Sequence, residues 1–234
     1  DMSYRMDGHL YGMFKIEGEF VLRARIARFF FLADGQGYEP VPANDSIGAK
    51  KMELIGEALP DRPISQKEIF CHRDLSNGIC YHIDTLMPPA WVKGIREAAE
   101  IWNDGFEKIG LGRPLGCCMF GKDDGILSNS IVYVPSGMDN FECTMLTDPL
   151  DGRIYASSII LHSSYISRLC DQYMVQASVA DRRARAAHLP DEVVSEVVRT
   201  AALQAIGRSL GLTDNLRASF SCSVDNLLDK DFTN

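Results

Sequence analysis

The fold of this 234-residue chain is decided by the stretch Ala201-Ala-Leu-Gln-Ala-Ile-Gly-Arg-Ser-Leu-Gly-Leu-Thr-Asp-Asn215. It completes a run of apolar residues at the three- and four-residue spacing of a helix, which begins near the acidic pair Asp191-Glu192. The helix is expected to stop near Gly211, because glycine reaches the left-handed conformation of a helix end without steric cost. The chain then turns, so that Asp214 can approach Arg208.

Composition is that of a soluble globular protein, with 46% hydrophobic and 24% charged residues. The net charge of −8 does not favour a nucleic-acid surface, because phosphate binding needs clustered cations. The one basic cluster, within residues 182–185, is interpreted as a solvated linker. No apolar run reaches the roughly 18 residues that span a bilayer. Residues 1–5 lack the features of a secretory signal, so any signal was removed or never existed.

Two further helices are predicted from the same apolar spacing. One begins after Pro88-Pro89, since proline suits the first turn of a helix, and stops at Gly110 and Gly112. The other covers about residues 163–180. A short helix is also expected near residues 48–58, within a long connection rich in Gly, Pro and Asp.

Strands are predicted from short apolar or alternating runs. Asn77-Gly78 is a strong tight-turn signal, and it predicts that residues 69–72 and 79–84 form a hairpin. Cys71 and Cys80 would then face each other across that hairpin. Further strands are expected within residues 19–32 and at residues 117–120, 131–134 and 154–161.

The order of these elements predicts an α+β domain, because strands and helices follow one another without a regular βαβ alternation. We divide the chain into an N-terminal extension with a strand and an irregular connection, residues 1–66, and this domain, residues 67–234. No internal repeat or low-complexity segment interrupts either part.

The final helix resembles the zinc-binding helix of the zincin metallopeptidases, in the metzincin form H-E-x-x-H-x-x-G-x-x-H. Gly211 falls at the glycine of that frame. Gln204 and Arg208 then fall at the two helical His positions, and Ala205 falls at the Glu. Asp214 falls at the third His. The four positions that would bind and activate zinc are therefore all changed.

The resemblance extends over roughly residues 79–234, to a bacterial group of secreted zinc-dependent metalloproteases. Each fragment alone is a weak signal, and the combination is specific. The matching fragments are Tyr81-His-Ile-Asp84, Asp148-Pro-Leu-Asp-Gly-Arg-Ile154, Tyr173-Met-Val-Gln-Ala-Ser178, Asp181-Arg-Arg-Ala-Arg185, Asp191-Glu-Val193, Leu210-Gly-Leu-Thr-Asp-Asn-Leu-Arg-Ala-Ser219 and Val224-Asp-Asn-Leu227.

This resemblance implies a zincin-like fold, in which a mixed sheet packs on helices and its edge strand lines the substrate cleft. It also implies export, to a secreted, periplasmic or cell-envelope location. Metzincins place a Met-containing turn further downstream, and the domain is expected to be truncated before it. A zinc ion is the cofactor that the resemblance implies.

The zinc chemistry is not expected to carry over to this chain. Gln204 is a poor zinc ligand, Arg208 is a permanent cation that repels a metal, and Ala205 has no group that accepts a proton. We therefore expect no zinc, no cofactor and no catalytic residue. In one interpretation Gln204, Arg208 and Asp214 form a charge-compensated cluster that replaces zinc as a structural tie. In the other, Arg208 and Asp214 are simply solvated at the floor of an open cleft.

The expected function is that of a catalytically inactive metallopeptidase homologue, a pseudo-protease. Its former active-site cleft would retain a peptide or protein partner, added to the sheet as a strand. One alternative is an active zinc-dependent metalloendopeptidase with non-standard ligands. Another is a structural part of a larger cell-envelope protein. The sequence specifies neither the partner nor the oligomeric state.

A second set of metal-ligating residue types lies around the predicted hairpin: Cys71, His72, Cys80 and His82. Cys80 and His82 share one strand face, but Cys71 and His72 point to opposite faces. A packed hairpin or a disulfide is favoured over a zinc site there. The seven cysteines are an odd count, so at least one thiol has no partner in the chain. His162 and His188 stand alone in the sequence.

Overall fold

The computed structural model describes residues 39–45, 47–55, 66–121, 128–214 and 223–228. The strand predicted within residues 19–32 lies outside the described residues. A short 3-10 turn, Arg182–Arg185, lies between the second and third helices. The elements follow one another as β1 (Lys51–Ile55), β2 (Gln66–Phe70), β3 (Ile79–Ile83), α1 (Pro89–Lys108), β4 (Leu115–Met119), β5 (Asn129–Val134), β6 (Glu142–Thr147), β7 (Ile154–His162), α2 (Ser163–Ala177), α3 (Asp191–Ser209) and α4 (Val224–Leu228).

Five strands form one mixed sheet in the order β4-β3-β5-β7-β6. The first four are parallel to their neighbours, and β6 runs antiparallel to β7 at the edge. β1 and β2 pair in a separate two-stranded antiparallel sheet. This mixed sheet, with helices packed on it, confirms the predicted α+β class and is consistent with a zincin-like fold.

The core lies between the sheet and helices α1 and α3. Along β3 the alternation of side chains buries Ile79, Tyr81 and Ile83, which join the core, and leaves Cys80 exposed on the other face. Burying these apolar side chains on one face of a sheet is the main stabilising contribution expected here. The sheet therefore has one helix-covered face and one face turned away from α1 and α3.

Helices α1 and α3 pack closely at Gly94. A Cβ atom at this position would lie 2.5 Å from the carbonyl oxygen of Ser195 and 2.9 Å from the amide nitrogen of Arg199. Only a residue without a Cβ permits this approach of the two backbones. The predicted start of α1 at Pro88-Pro89 is confirmed, and α1 ends at Lys108, before Gly110.

Several local predictions were wrong. The hairpin does not form: β2 pairs with β1, whereas β3 pairs in parallel with β4 and β5. The short helix near residues 48–58 is instead β1. The Asn77-Gly78 turn does exist, with Gly78 at a φ of +70°, but it connects two different sheets. A local turn signal cannot distinguish these outcomes, because strand pairing over long sequence distances decides them.

The basic cluster is also more ordered than the predicted solvated linker. Within the 3-10 turn, Arg183 forms ion pairs with Asp181 and with Glu196 of α3, each at 2.9 Å. Arg185 donates hydrogen bonds to the carbonyl oxygens of Ser178 and Val179. These exposed contacts connect the end of α2 to α3.

All described residues belong to one compact unit, residues 37–234. The domain boundary between residues 66 and 67 stays a prediction; these two residues are the first two of β2, which pairs with β1. Within the described part of the chain, no helix combines the length and hydropathy that a bilayer-spanning segment needs.

Candidate functional site

The candidate site is built at the C-terminal end of α3, which is held to the sheet by a buried hydrogen bond. The hydroxyl oxygens of Tyr81 on β3 and Ser209 lie 2.6 Å apart. Ser209 donates its own proton to the carbonyl oxygen of Ile206, so the proton between the two hydroxyls comes from Tyr81. Burial raises the pKa of Tyr81 to about 12, which keeps this hydroxyl protonated.

The chain leaves α3 through a Schellman turn at Gly211. The amide of Leu212 donates to the carbonyl oxygen of Gly207, and the amide of Gly211 donates to that of Arg208, both at 3.0 Å. Gly211 has a φ of +91°, and a Cβ there would lie 3.0 Å from the carbonyl oxygen of Cys71. Both the backbone conformation and the space require glycine.

After this turn the chain is fixed against the segment that precedes β1. The amide of Lys50 donates to the carbonyl oxygen of Gly211 at 2.7 Å, and the amide of Thr213 donates to that of Gly48 at 2.9 Å. These backbone bonds place Lys50 beside the end of α3. Sequence reasoning missed this residue, because residues 34–66 show no periodic pattern.

Arg208 and Asp214 are brought together by the turn. The Arg208 Nη2 atom lies 2.8 Å from Asp214 Oδ1. The side chains are 32% and 70% exposed, so this ion pair lies in solvent rather than in a buried tie. Gln204 is exposed one turn earlier and forms no hydrogen bond with either residue among the described contacts. Among the described contacts the structure therefore contains a largely exposed ion pair, without a three-residue cluster.

A cleft of about 440 Å³ opens beside the last turns of α3. Gln204 and Arg208 line it from the helix, Cys143 and Met145 line it from the edge strand β6, and Lys50 lies at its border. Sequence reasoning missed β6, although its alternation of Glu142, Cys143, Thr144 and Met145 is typical of a half-buried strand.

Positive charge surrounds this cleft. Burial raises the pKa of the Cys143 thiol, while the nearby charges of Lys50, Arg208 and Arg73 oppose that increase. Among the described contacts no acidic side chain forms an ion pair with Lys50, and the only one on Arg208 is the exposed carboxylate of Asp214. Two cationic side chains, Lys50 and Arg208, therefore line the cleft.

The donor set at the end of α3 does not fit a zinc ion. Zinc sites use imidazole nitrogen, thiolate sulfur or carboxylate oxygen in a tetrahedral arrangement. Gln204 offers an amide, Arg208 offers a guanidinium cation, and the buried Ala205 offers a methyl group. The one carboxylate, that of Asp214, is already paired with Arg208.

The cysteines and histidines that were considered as site residues have other neighbours than the sequence predicted. Cys71 is a free thiol that does not join Cys80, and the structure instead brings Cys118 beside Cys80 and His82. His162 is buried and contacts Ser136 at 2.7 Å and Glu142 at 3.2 Å. This chain of polar contacts joins the ends of β5, β6 and β7, so His162 does not stand alone.

One family model matches the C-terminal part of the chain. The family model described as Met-zincin matches residues 186–234, which include α3, its final turn and the Arg208–Asp214 pair. This match confirms the resemblance to the zincin- and metzincin-like metallopeptidases. Over these residues the chain is thus similar to a family of metallopeptidase-like proteins. The correspondence of its four changed residues to lost zinc ligands and a lost general base stays a prediction. No curated protein and no solved structure gives a significant match.

Proposed function

We propose that this chain is a catalytically inactive metallopeptidase homologue that binds an extended segment of a peptide or protein in the cleft beside α3. One observation carries the proposal: β6 lies at the edge of the sheet and borders the cleft, and within the described strands only β7 pairs with it. The unpaired edge of a strand offers main-chain donors and acceptors to an added strand.

Side chains along β6 supply the second part of the argument. Cys143 and Met145 line the cleft, whereas Glu142, Thr144 and Leu146 alternate to the other face. An added peptide would hydrogen-bond to the strand backbone and place alternate side chains towards Met145 and α3. The main-chain hydrogen bonds would provide affinity, and the side chains of the cleft would discriminate between peptide sequences.

The charges predict which peptides are selected. Lys50 and Arg208 contribute two cations at the border and floor of the cleft, and Gln204 adds an amide. An acidic peptide would interact favourably with these groups, and its affinity would fall with rising salt concentration. A basic peptide of the same length would be disfavoured.

Loss of catalysis follows from the residues at the end of α3. A zincin needs a metal-bound water and a carboxylate that accepts its proton. Ala205 provides no carboxylate, and the Arg208 guanidinium repels a divalent cation from the same space. This chain then has no group at that position to generate a nucleophile. Export from a bacterial cytoplasm is a further part of the proposal, supported by the family resemblance.

Binding is tested with fluorescently labelled extended peptides of acidic, neutral and basic composition. We expect the acidic set to bind best, and Met145→Asp to weaken binding by about tenfold, or 1.4 kcal/mol. Leu146→Asp is the matched control, because it places the same charge on the same strand but on the other face. Equal losses in both variants, or no binding by any peptide set, would contradict the proposal.

Inactivity is tested with casein as substrate, with and without added zinc and chelator. We expect no cleavage above that of a heat-denatured sample under any condition. Cleavage that requires zinc and is abolished by the chelator would instead identify an active metallopeptidase with non-standard ligands. The casein assay tests only inactivity, and the peptide assay tests only binding. Either part of the proposal can therefore be contradicted without the other.

A further inference from the structure

We propose that Cys80, His82 and Cys118 form a binding site for zinc or a similar thiophilic divalent cation, on the sheet face opposite α1 and α3. The two Sγ atoms and an imidazole nitrogen lie within 4.8 Å of one another. This site is independent of the peptide cleft and of the changed positions on α3.

The sheet register brings the three side chains to one face. Cys80 and His82 are two residues apart on β3, so both point away from the core-facing Tyr81. Parallel pairing aligns His82 with Cys118 and Cys80 with Gly116 on β4. Since side chains alternate along a strand, Cys118 joins the same face as its partner His82. Two adjacent strands therefore supply all three groups without irregular backbone.

The distances suit a tetrahedral metal after a small adjustment. Bond lengths of zinc to sulfur and nitrogen place a bound sulfur and nitrogen roughly 3.5 Å apart and two bound sulfurs roughly 3.8 Å apart. Cys118 Sγ already lies 3.5 Å from His82 Nδ1. The sulfurs of Cys80 and Cys118 lie 2.6 Å apart, so they must separate by roughly 1 Å.

The surroundings permit this separation. Cys80 is exposed, and a Cβ placed on its neighbour Gly116 would have no atom closer than 3.9 Å. A rotation of the Cys80 side chain about χ1 therefore meets open space. The ring of Phe120 lies beside the imidazole of His82, with the ring centres 5.9 Å apart and the planes at 59°.

The ligand types also select the metal. Two thiolates and one imidazole leave a fourth position for water or another ligand, as in open zinc sites. Soft sulfur ligands exclude magnesium and calcium, which take oxygen. The cysteines bind metal as thiolates, so binding must release their protons. Affinity is then expected to increase with pH.

The competing fate of the two thiols is a disulfide. Oxidation by a small-molecule disulfide would remove two electrons and two protons from Cys80 and Cys118, join their sulfurs, and release two small-molecule thiols. That product cannot bind metal through either sulfur as a thiolate. Bound metal should therefore protect the pair from oxidation, which gives the proposal a readout that does not depend on any enzyme activity.

The test uses Co²⁺ with the full, reduced chain, because thiolate-bound Co²⁺ shows sulfur-to-metal charge-transfer absorption. We expect one Co²⁺ per chain with this absorption, and its displacement by Zn²⁺. Cys80→Ser and Cys118→Ser should each weaken Co²⁺ binding more than about a hundredfold, beyond the effect of losing a group that only hydrogen-bonds to a ligand. Cys170→Ser on α2 is the matched control and should bind Co²⁺ like the parent chain.

Oxidation with glutathione disulfide provides the second measurement. Zinc should slow formation of the Cys80–Cys118 disulfide, detected by peptide mass mapping, by at least about tenfold. Equal rates with and without zinc would overturn the proposal, as would Co²⁺ absorption that survives in folded Cys118→Ser. The circular dichroism of each variant establishes that it is folded before either assay.

Discussion

Tyr81 and Ser209 are 128 positions apart in the sequence, and their hydroxyl oxygens lie 2.6 Å apart in the core. This contact fixes the last turn of α3 to strand β3 of the sheet. It uses two neutral groups and no metal. It therefore helps to position the end of α3, from which Gln204 and Arg208 line the peptide cleft.

Replacing Tyr81 by Phe should lower the free energy of unfolding by about 1–2 kcal/mol, because Ser209 loses its buried hydrogen-bond donor. The same substitution at half-buried Tyr133, whose ring contacts Trp91, is the control and should cost less than about 0.5 kcal/mol. Urea unfolding followed by fluorescence measures both. An equal effect in the two variants would show that the hydroxyl of Tyr81 contributes nothing specific.

Alkaline pH should destabilise the fold through the same residue. The folded-state pKa of Tyr81 is about 12, above its ordinary value of 10.0, so the folded state retains this proton longer than the unfolded state. Its contribution is complete below pH 10 and is lost as pH rises through the folded pKa, by up to about 2–3 kcal/mol for two pKa units. The difference in unfolding free energy between parent chain and Tyr81→Phe, followed against pH, isolates this slope from those of other groups.

Gly94→Ala should destabilise the chain by about 3 kcal/mol, because its methyl group would collide with the backbone of α3. Gly105→Ala in the same helix has no atom within 4 Å of the added Cβ, and should stabilise by up to about 1 kcal/mol through helix propensity. Thermal and urea unfolding distinguish the two. Similar melting temperatures would mean that α1 and α3 do not approach each other at Gly94.

Comparing Gly211→Ala with Gly110→Ala distinguishes two causes of lost stability at Gly211: backbone strain and steric collision of the added methyl group. Both glycines have positive φ, and alanine in this conformation costs about 1–2 kcal/mol. Only at Gly211 does the added Cβ also approach Cys71 and Ile154, so that variant should lose at least about 1 kcal/mol more. Equal losses, measured by urea unfolding, would indicate that the Gly211 turn is not packed against residue 71.

Asp214→Ala should change stability by less than about 1 kcal/mol, because the carboxylate is 70% exposed and its ion pair is screened by water. The same change leaves the Arg208 charge without its partner, and acidic peptides should then bind more tightly at low salt. Asp104→Ala, which also removes an exposed carboxylate paired with an arginine, is the control for stability and should leave peptide affinity unchanged. A large loss of stability in Asp214→Ala would restore the interpretation of a structural tie.

Local sequence signals predicted the three long helices well. Pro88-Pro89, Gly110 and Gly211 mark helix ends through their own backbone preferences, so α1 and the end of α3 were predicted from residues that act on their immediate neighbours. The strands at β5 and β7 were found because their apolar runs are long enough to be distinctive. These features depend on interactions between residues that are close in the sequence, so a single sequence is enough to predict them.

Pairing between distant segments was not predictable in the same way. Parallel alignment of His82 with Cys118 depends on the register of β3 and β4, which are connected through an entire helix. The position of Lys50 likewise depends on backbone bonds to Gly211, far along the chain. The Asn77-Gly78 turn gave a wrong hairpin prediction. A turn sets the local direction of the chain, but it does not determine with which strand the following residues pair.

The turn at Gly211 has a consequence for protein engineering. Its hydrogen bonds join main-chain groups only, and none of them involves the side chains of Gln204, Arg208 or Asp214. A designer can rewrite those three surface positions while keeping the loop geometry intact. The scaffold is therefore a starting point for installing new chemistry, with the small, fully enclosed Ala205 as the one position where a larger group has to be accommodated.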